Sequence, residues 1–375
     1  MKILDTLKER ANNFTLLRLL AALAVLYGHS YVLSLGVKGG EDPLSNFLIR
    51  TWGESLGSVA VDLFFVTSGF LVTASYIKRE SLIAFIEARI LRIYPGLIVA
   101  VLFCVFVVGT FVTSETISNY FSSPITWSYL KHNATLVNGI QFELPSVFAA
   151  NPYPVSVNGS LWTLPVEVWM YFWVAVLGSL SLLDGEKSFN AVFVVICLMY
   201  AQSINNNFFI SSDPRNAQLA LLFFLGAFFY VNRSKISLGL VGLGVLCILV
   251  FFTTEYRFSM FFKATCFAYL VLLLSLHPKL LLPSIDRWGD FSYGLYIYAF
   301  PVQQTLVYLL PGLSPMSLFF MSTIVTFLFA ALSWRFVEKP ALKLKGKIRF
   351  GNNLNDVRLE KKDLKIEEIV TDSQN

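Results

Sequence analysis

Long apolar stretches recur along the chain, and short polar segments separate them. A helix needs about 20 mostly apolar residues to cross the hydrocarbon core of a membrane. By this criterion the sequence predicts ten helical spans, at about residues 14–34, 57–77, 93–113, 160–181, 189–205, 216–231, 237–253, 260–277, 290–310 and 316–336. The predicted fold is therefore all-α and integral to a membrane, with about ten transmembrane helices.

The polar ends of the chain divide it into three parts. Residues 1–12 form a predicted N-terminal segment, and residues 13–338 form the predicted membrane domain. Residues 339–375 are charged and almost free of aromatic side chains, a composition typical of disordered segments. The longest connection inside the membrane domain covers residues 114–159. We expect both terminal segments and this connection to lie outside the membrane.

The overall composition supports a membrane location. Hydrophobic residues make up 55% of the 375 residues and charged residues only 14%, whereas soluble chains carry about 25% charged residues. A soluble fold of this size would lack the polar side chains needed to cover its surface. The composition therefore excludes a soluble enzyme, a disordered chain and a small disulfide scaffold.

Lys and Arg residues are distributed unevenly between the two sides of the predicted spans. With the N-terminus inside, 23 of the 29 Lys and Arg residues fall on the inner side. Cytoplasmic segments of membrane proteins are enriched in these residues. An even number of spans then places both termini in the cytoplasm. This bias explains the net charge of +5, so the charge does not indicate a nucleic-acid partner.

The first predicted span carries two ionisable residues on one face. Arg18 and His29 are eleven residues apart, which at about 100° per residue returns to nearly the same face about 16 Å further along the helix. Arg18 would lie near the inner surface and His29 in the outer half of the membrane. Imidazole titrates near neutral pH, so His29 suits a general base. The alternatives are an interfacial anchor for Arg18 and a hydrogen-bonded packing role for His29.

Two further arginines lie at the inner end of the third predicted span. Arg89 and Arg92 are three residues apart and share a helical face. Two forked guanidinium groups on one face suit a phosphate or a carboxylate, so this pair is a candidate site for an anionic donor. The alternative is that both arginines are positive-inside anchors.

Two carboxylates lie in the outer halves of other predicted spans. Asp62 falls in the second span, and Glu167 enters the fourth span at a depth close to that of His29. An acidic residue inside a membrane needs a partner, and either carboxylate could orient the imidazole of His29. The alternative for Glu167 is a structural pairing with a neighbouring helix.

The sequence resembles membrane acyltransferase family 3, the O-acetyltransferase family of bacterial surface polysaccharides. The resemblance covers roughly residues 12–340, essentially the whole membrane domain. Each motif alone is weak, but their order within a ten-span protein is specific. The motifs are Arg18 with His29, Val61-Asp62-Leu63-Phe64-Phe65, Arg89-x-x-Arg92, Ser160-Leu161-Trp162 through Glu167, Ser292-Tyr293-Gly294-Leu295-Tyr296 and Phe336-Val337-Glu338-Lys339-Pro340.

This resemblance implies a multi-pass protein of a bacterial inner membrane that moves an acyl group from cytosolic acyl-CoA to a sugar hydroxyl. It implies His29 as the catalytic residue, and Arg18, Arg89 and Arg92 as contributors to donor binding or to holding the site together. Acetyl-CoA is the expected donor, with no metal, and an envelope glycan is the expected acceptor. The sequence does not predict the oligomeric state, and a homodimer is one alternative. Ala299 stands where many members have a second histidine, so a mechanism that needs that histidine cannot operate here.

A different class of function is also compatible with these residues. A polytopic transporter or flippase could use His29, Glu167 and Asp62 as a proton or substrate path. Such proteins often show inverted repeats and matched broken helices, and the sequence shows neither. A catalytically idle structural subunit is the third reading. The leading prediction is therefore a membrane-embedded O-acetyltransferase with His29 as general base and Glu167 and Asp62 as supporting carboxylates.

Overall fold

The computed structural model describes residues 2–8, 12–79, 81–154, 156–206, 213–253, 259–282, 285 and 288–346. Within these ranges the chain forms helices and no strand. The all-α prediction is confirmed for this part of the chain. The predicted disorder of the tail falls mostly on residues 347–375, which lie outside the described residues.

A helix occupies each of the ten predicted spans. Among the described residues, six of these helices are both long and apolar enough to cross a membrane: Phe14–Leu35, Leu56–Arg79, Leu82–Val112, Gly159–Ser179, Ser259–Leu276 and Pro315–Leu342. The number of ten crossings and the orientation of the termini stay predictions. The helices are α1 (Phe14–Leu35), α2 (Leu56–Arg79), α3 (Leu82–Val112), α4 (Gly159–Ser179), α5 (Glu186–Asn206), α6 (Pro214–Val231), α7 (Leu240–Phe252), α8 (Ser259–Leu276), α9 (Ser292–Leu309) and α10 (Pro315–Leu342).

Shorter helices cover the connections at one end of the bundle. Pro43–Thr51 lies between α1 and α2, and Ile117–Ser122 and Pro124–Thr135 lie between α3 and α4. Asn151 then ties this long connection to α9, because its side-chain amide donates to the carbonyl oxygen of Gln304 at 3.0 Å. The connection is therefore attached to the bundle.

Helix α3 begins eleven residues earlier than the predicted span that starts at residue 93. The hydroxyl of Ser81 accepts a hydrogen bond from the amide of Ala84 and caps the helix there. Hydropathy alone misses these first turns, because Glu87 and the two arginines interrupt the apolar run. As a result Arg89 and Arg92 lie within a regular helix, one turn apart, and both face the interior of the bundle.

Apolar side chains remain exposed on the outer surface of the bundle. Helix α7 has no buried residue, and Val241 and Phe251 are 84% and 74% exposed. Similar apolar surface lies on α10, where Ile324 is 67% exposed. Water disfavours such large apolar surfaces, whereas lipid tails accept them. This arrangement supports a multi-pass membrane protein.

Helices α2 and α6 cross so closely that their backbones touch. A Cβ atom on Gly69 would lie 1.8 Å from the carbonyl oxygen of Phe223, and a Cβ atom on Gly226 would lie 2.2 Å from that of Val66. Small residues allow such close approach between membrane helices. The two glycines therefore fix the distance between α2 and α6.

We expect Gly69→Ala to lower the stability of the folded protein by about 1–3 kcal/mol or more, because the new methyl group must push α6 away. The measurement is the thermal unfolding midpoint of the purified protein in detergent. Gly244→Ala on α7 is the matched control, because no atom lies within 4 Å of a Cβ atom there. Equal midpoints for the two variants would contradict the close crossing.

Candidate active site

Two cavities lie along α1 and share a wall. The first, here called the arginine cavity, has a volume of about 240 Å³. The second, here called the histidine cavity, has a volume of about 220 Å³. Both are lined by Val61 and Tyr296. The polar residues of the arginine cavity include Arg18, Ser68, Arg89, Arg92, Thr163 and Glu167, and those of the histidine cavity include His29, Glu41, Ser45, Ser55, Ser58 and Ser160.

Arg18 and His29 fall on either side of this shared wall. The sequence predicts one face of α1 with a cation at one end and an imidazole at the other, and the structure places one in each cavity. The separation of eleven positions corresponds to about 16 Å of helix. The two ends of α1 therefore serve chemically different pockets.

Asp290 joins two of the three predicted arginines. Its Oδ2 atom lies 3.1 Å from Nη1 of Arg18 and 2.5 Å from Nη2 of Arg92. Its Oδ1 atom accepts hydrogen bonds from the amide and the hydroxyl of Ser292, at the start of α9. One carboxylate thus accepts from four donors and links α1, α3 and α9.

A second carboxylate supports Arg92 from the end of α10. Oε2 of Glu338 lies 3.5 Å from Nη1 of Arg92, and Oε1 accepts a hydrogen bond from the hydroxyl of Ser333 at 2.9 Å. The side chain of Glu338 is only 1% exposed. Arg92 therefore lies between two carboxylates, so much of its charge is already compensated.

Arg89 differs from the other two arginines. Within the described ranges it has no carboxylate partner, and its buried Nε atom has no hydrogen-bond partner. Its Nη2 atom is 3.5 Å from the hydroxyl of Ser75, and its Cζ atom lies 5.6 Å from the ring centre of Tyr171 and 5.9 Å from that of Phe85. Aromatic rings orient the guanidinium without neutralising it. Arg89 is therefore the arginine best placed to bind an added anion.

The end of the described chain adds a further cation near Arg89. Lys345 follows α10, and burial together with the nearby Arg89, Arg79 and Arg92 lowers its pKa to about 8. Repulsion between like charges disfavours the charged lysine, so an anion bound among these groups would be stabilised by all of them. The arginine end of the bundle is thus an anion-attracting region.

Glu167 lies in the arginine cavity, where it has partners other than His29. Its Oε1 atom accepts hydrogen bonds from the hydroxyls of Tyr171, one helical turn later on α4, and of Ser68 at 3.2 Å. The expected contact with His29 is not formed, because the two side chains line different cavities. Glu167 instead positions a tyrosine whose ring faces Arg89.

Asp62 is also engaged elsewhere. Its Oδ1 atom lies 2.7 Å from Nη2 of Arg215, and its Oδ2 atom accepts from Nε2 of Gln218 at 3.4 Å. Arg215 and Gln218 belong to α6, which the close crossing at Gly69 holds against α2. The expected contact with His29 is therefore replaced by an ion pair that joins α2 to α6. Asp62 lines neither cavity.

His29 is left with an unpartnered ring nitrogen. Its buried Nδ1 atom has no hydrogen-bond partner among the described residues, and the ring of Phe300 packs edge-on with its centre 5.1 Å away. The hydroxyl of Ser160, in the same cavity, is also buried and unpartnered. Buried polar atoms are normally hydrogen-bonded, so an unpartnered pair in one cavity indicates a place for a polar ligand.

Comparison with known proteins identifies the family of the chain. The family model described as an acyltransferase domain matches residues 12–335, almost the whole described chain.

The chain belongs to this family.

This acyltransferase also has curated relatives. It is 30% identical over 343 residues to an O-acetyl transferase of Shigella phage Sf6, covering 89% of this chain and 97% of the relative. It is 29% identical over 366 residues to Nodulation protein 10 of Rhizobium leguminosarum bv. viciae, covering 89% and 94%. It is 26% identical to the peptidoglycan O-acetyltransferase OatA of Listeria monocytogenes, covering 78% of this chain and 52% of the relative. No solved structure matches the chain.

These comparisons confirm the family predicted from the motifs, and they confirm that the acyltransferase is an enzyme of the O-acetyltransferase type. They do not test the individual site residues. Asp290 and Glu338 were missed by sequence reasoning, although Glu338 lies within a motif that carried the resemblance and Asp290 lies two residues before another. The sequence signal for Asp290 and Glu338 is an acidic residue within or next to a family motif in an otherwise apolar chain.

Proposed function

We propose that this acyltransferase moves an acetyl group from acetyl-CoA in the arginine cavity to a carbohydrate hydroxyl in the histidine cavity. The observation that carries the proposal is the shared wall between the cavities, with Arg89, which lacks a carboxylate partner, on one side and the unpartnered His29 on the other. Three arginines line the first cavity and suit the donor, which is a polyanion. The second cavity has no lysine or arginine among the described residues of its lining and suits the acceptor, which is a neutral polyol.

The donor would enter from the arginine end of the bundle. Arg89 would bind a phosphate of CoA, while Arg18 and Arg92, held by Asp290, keep the cavity open and cationic. The excess of Lys and Arg on this side favours a cytosolic orientation, where acyl-CoA is available. The proposal includes a bacterial inner membrane as the location.

The acceptor would lie in the histidine cavity. Its lining combines the hydroxyls of Ser58 and Ser160, the carboxylate of Glu41 and the indole of Trp162. Sugars offer hydroxyls for hydrogen bonds and C–H faces for an aromatic ring, so this combination suits a carbohydrate. Two relatives support an envelope glycan as the acceptor class: the O-acetyl transferase of Shigella phage Sf6 and the peptidoglycan O-acetyltransferase OatA.

The proposed reaction needs one base. The imidazole of His29 accepts the proton of the acceptor hydroxyl, whose oxygen attacks the carbonyl carbon of the thioester. A C–O bond forms, the C–S bond breaks, and the CoA thiolate takes up the proton from His29. The products are the acetyl ester and CoA thiol, and His29 returns to its neutral form.

The donor half of this proposal is tested by binding of radiolabelled acetyl-CoA to the purified protein in detergent. We expect Arg89→Ala to weaken binding about tenfold to a hundredfold, because a hydrogen bond to a charged group contributes about 1.5–3 kcal/mol. Arg335→Ala, which removes an exposed arginine of α10, is the control and should leave binding unchanged. No binding by the parent protein, or equal binding by both variants, would refute the donor site.

A further inference from the structure

Tyr296 belongs to both cavities. Its side chain and that of Val61 form the part of the wall that the arginine and histidine cavities have in common. Tyr296 lies on α9 and is 8% exposed. Two separate pockets therefore meet at one aromatic ring.

The ring is held in place by two neighbouring helices. The hydroxyls of Tyr296 and of Thr163 on α4 form a hydrogen bond of 2.7 Å. The ring of Phe64 on α2 packs edge-on, with its centre 5.7 Å from that of Tyr296. Thr163 and Phe64 line only the arginine cavity of the two. The contacts that hold the tyrosine thus come from the donor side.

This position matters for the proposed transfer, on which the present inference rests. In that proposal the thioester of acetyl-CoA enters the arginine cavity, whereas His29 and the acceptor hydroxyl lie in the histidine cavity. Water that reached the thioester beside His29 would be activated in the same way as the acceptor, and the donor would be wasted. The wall must therefore be closed while the acceptor is absent, so that water does not hydrolyse the donor, and it must open when the acceptor is bound.

We propose that Tyr296 is the barrier between donor and acceptor, and that its ring must move aside before the acetyl group can reach the histidine cavity. Its hydrogen bond to Thr163 holds the barrier closed. A bound acceptor displaces the ring, so the thioester is exposed to His29 when a hydroxyl is present. Tyr296 is a positioning residue in this scheme and controls which nucleophile meets the donor.

Removal of the barrier should allow hydrolysis. In that reaction water gives a proton to His29, its oxygen bonds to the thioester carbon, the C–S bond breaks, and the CoA thiolate takes up the proton. Acetic acid and CoA thiol are the products. We expect Tyr296→Ala to release CoA thiol from acetyl-CoA about tenfold faster than the parent protein in the absence of acceptor, because water is no longer excluded. A thiol reagent measures the release.

Three companion variants separate the barrier from general damage. Tyr296→Phe keeps the ring but loses the hydrogen bond to Thr163, so it should hydrolyse acetyl-CoA at a rate between those of the parent protein and Tyr296→Ala. Tyr298→Ala removes a buried tyrosine of the same helix that lines neither cavity, so it should also leave hydrolysis unchanged. Adding His29→Ala to Tyr296→Ala should abolish the gain, because the base lies beyond the wall. Tyr296→Leu replaces the alanine variant if that protein does not fold.

The outcomes distinguish this inference from the proposed function. If the parent protein does not bind labelled acetyl-CoA, the proposed function fails. If it binds acetyl-CoA and Tyr296→Ala binds equally well but hydrolyses it no faster, only the barrier is refuted. A similar gain in Tyr298→Ala, or a gain that persists without His29, would also overturn the barrier.

Discussion

Replacement of His29 with Ala is expected to reduce acetyl transfer about a hundredfold to ten-thousandfold, the range that a general base contributes. His29 lines the histidine cavity, and its buried Nδ1 atom has no hydrogen-bond partner among the described residues. The measurement is alkali-labile acetate on the envelope glycan of cells that express the variant in place of the parent protein.

The matched control is His132→Ala. His132 lies in the short helix Pro124–Thr135, and its Nδ1 atom contacts Ser128, away from both cavities. This variant should acetylate the glycan at the parent level. Full acetylation in a well-expressed His29→Ala strain would refute the catalytic assignment. Loss of acetylation with unchanged binding of labelled acetyl-CoA would place the defect in the chemical step.

The second large effect is expected at Asp290. Asp290→Ala leaves Arg18 and Arg92 facing each other without their shared carboxylate. Breaking an ion pair of this kind by removing one partner costs about 3 kcal/mol or more. The three side chains are 15–24% exposed, so water compensates for part of this loss. We expect a lower thermal unfolding midpoint together with weaker binding of labelled acetyl-CoA, both measured in detergent.

Two comparisons make this test specific. Asp184→Ala removes an exposed carboxylate after α4 and should change neither quantity. Asp290→Asn retains the size and one acceptor oxygen, so it should lie between Asp290→Ala and the parent protein. An Asp290→Ala protein with the parent midpoint and the parent affinity would show that Arg18 and Arg92 do not depend on this carboxylate.

The sequence predicts the helices well because membrane helices are specified by local composition. The start of α3 is the exception, since Ser81 caps a stretch whose charges conceal it from a hydropathy window. The sequence predicts that Arg18, Arg89 and Arg92 cluster at the inner face, and the structure brings them into one cavity. Glu167, predicted to lie beside His29, lines the same cavity as the arginines. A charged residue inside an apolar span is a candidate functional residue, so the sequence alone identifies these positions.

Pairings between distant residues could not be predicted in the same way. Asp62 and Arg215 are 153 positions apart, and their contact depends on the crossing of α2 and α6 at Gly69. Asp290 reaches Arg18 across 272 positions. Which carboxylate meets which cation follows from the packing of whole helices, and a linear pattern does not contain that information.

The two carboxylates that pair with the cavity arginines are synthesised after them, so the ion pairs can form only late in synthesis. Arg18 and Arg92 enter the membrane with the first and third helices, whereas Asp290 and Glu338 come with the last two. Until α9 and α10 are inserted, both guanidinium groups must rely on lipid headgroups or water. A chain that stalls or is cut before residue 290 would therefore retain Arg18 and Arg92 without the two carboxylates that pair with them.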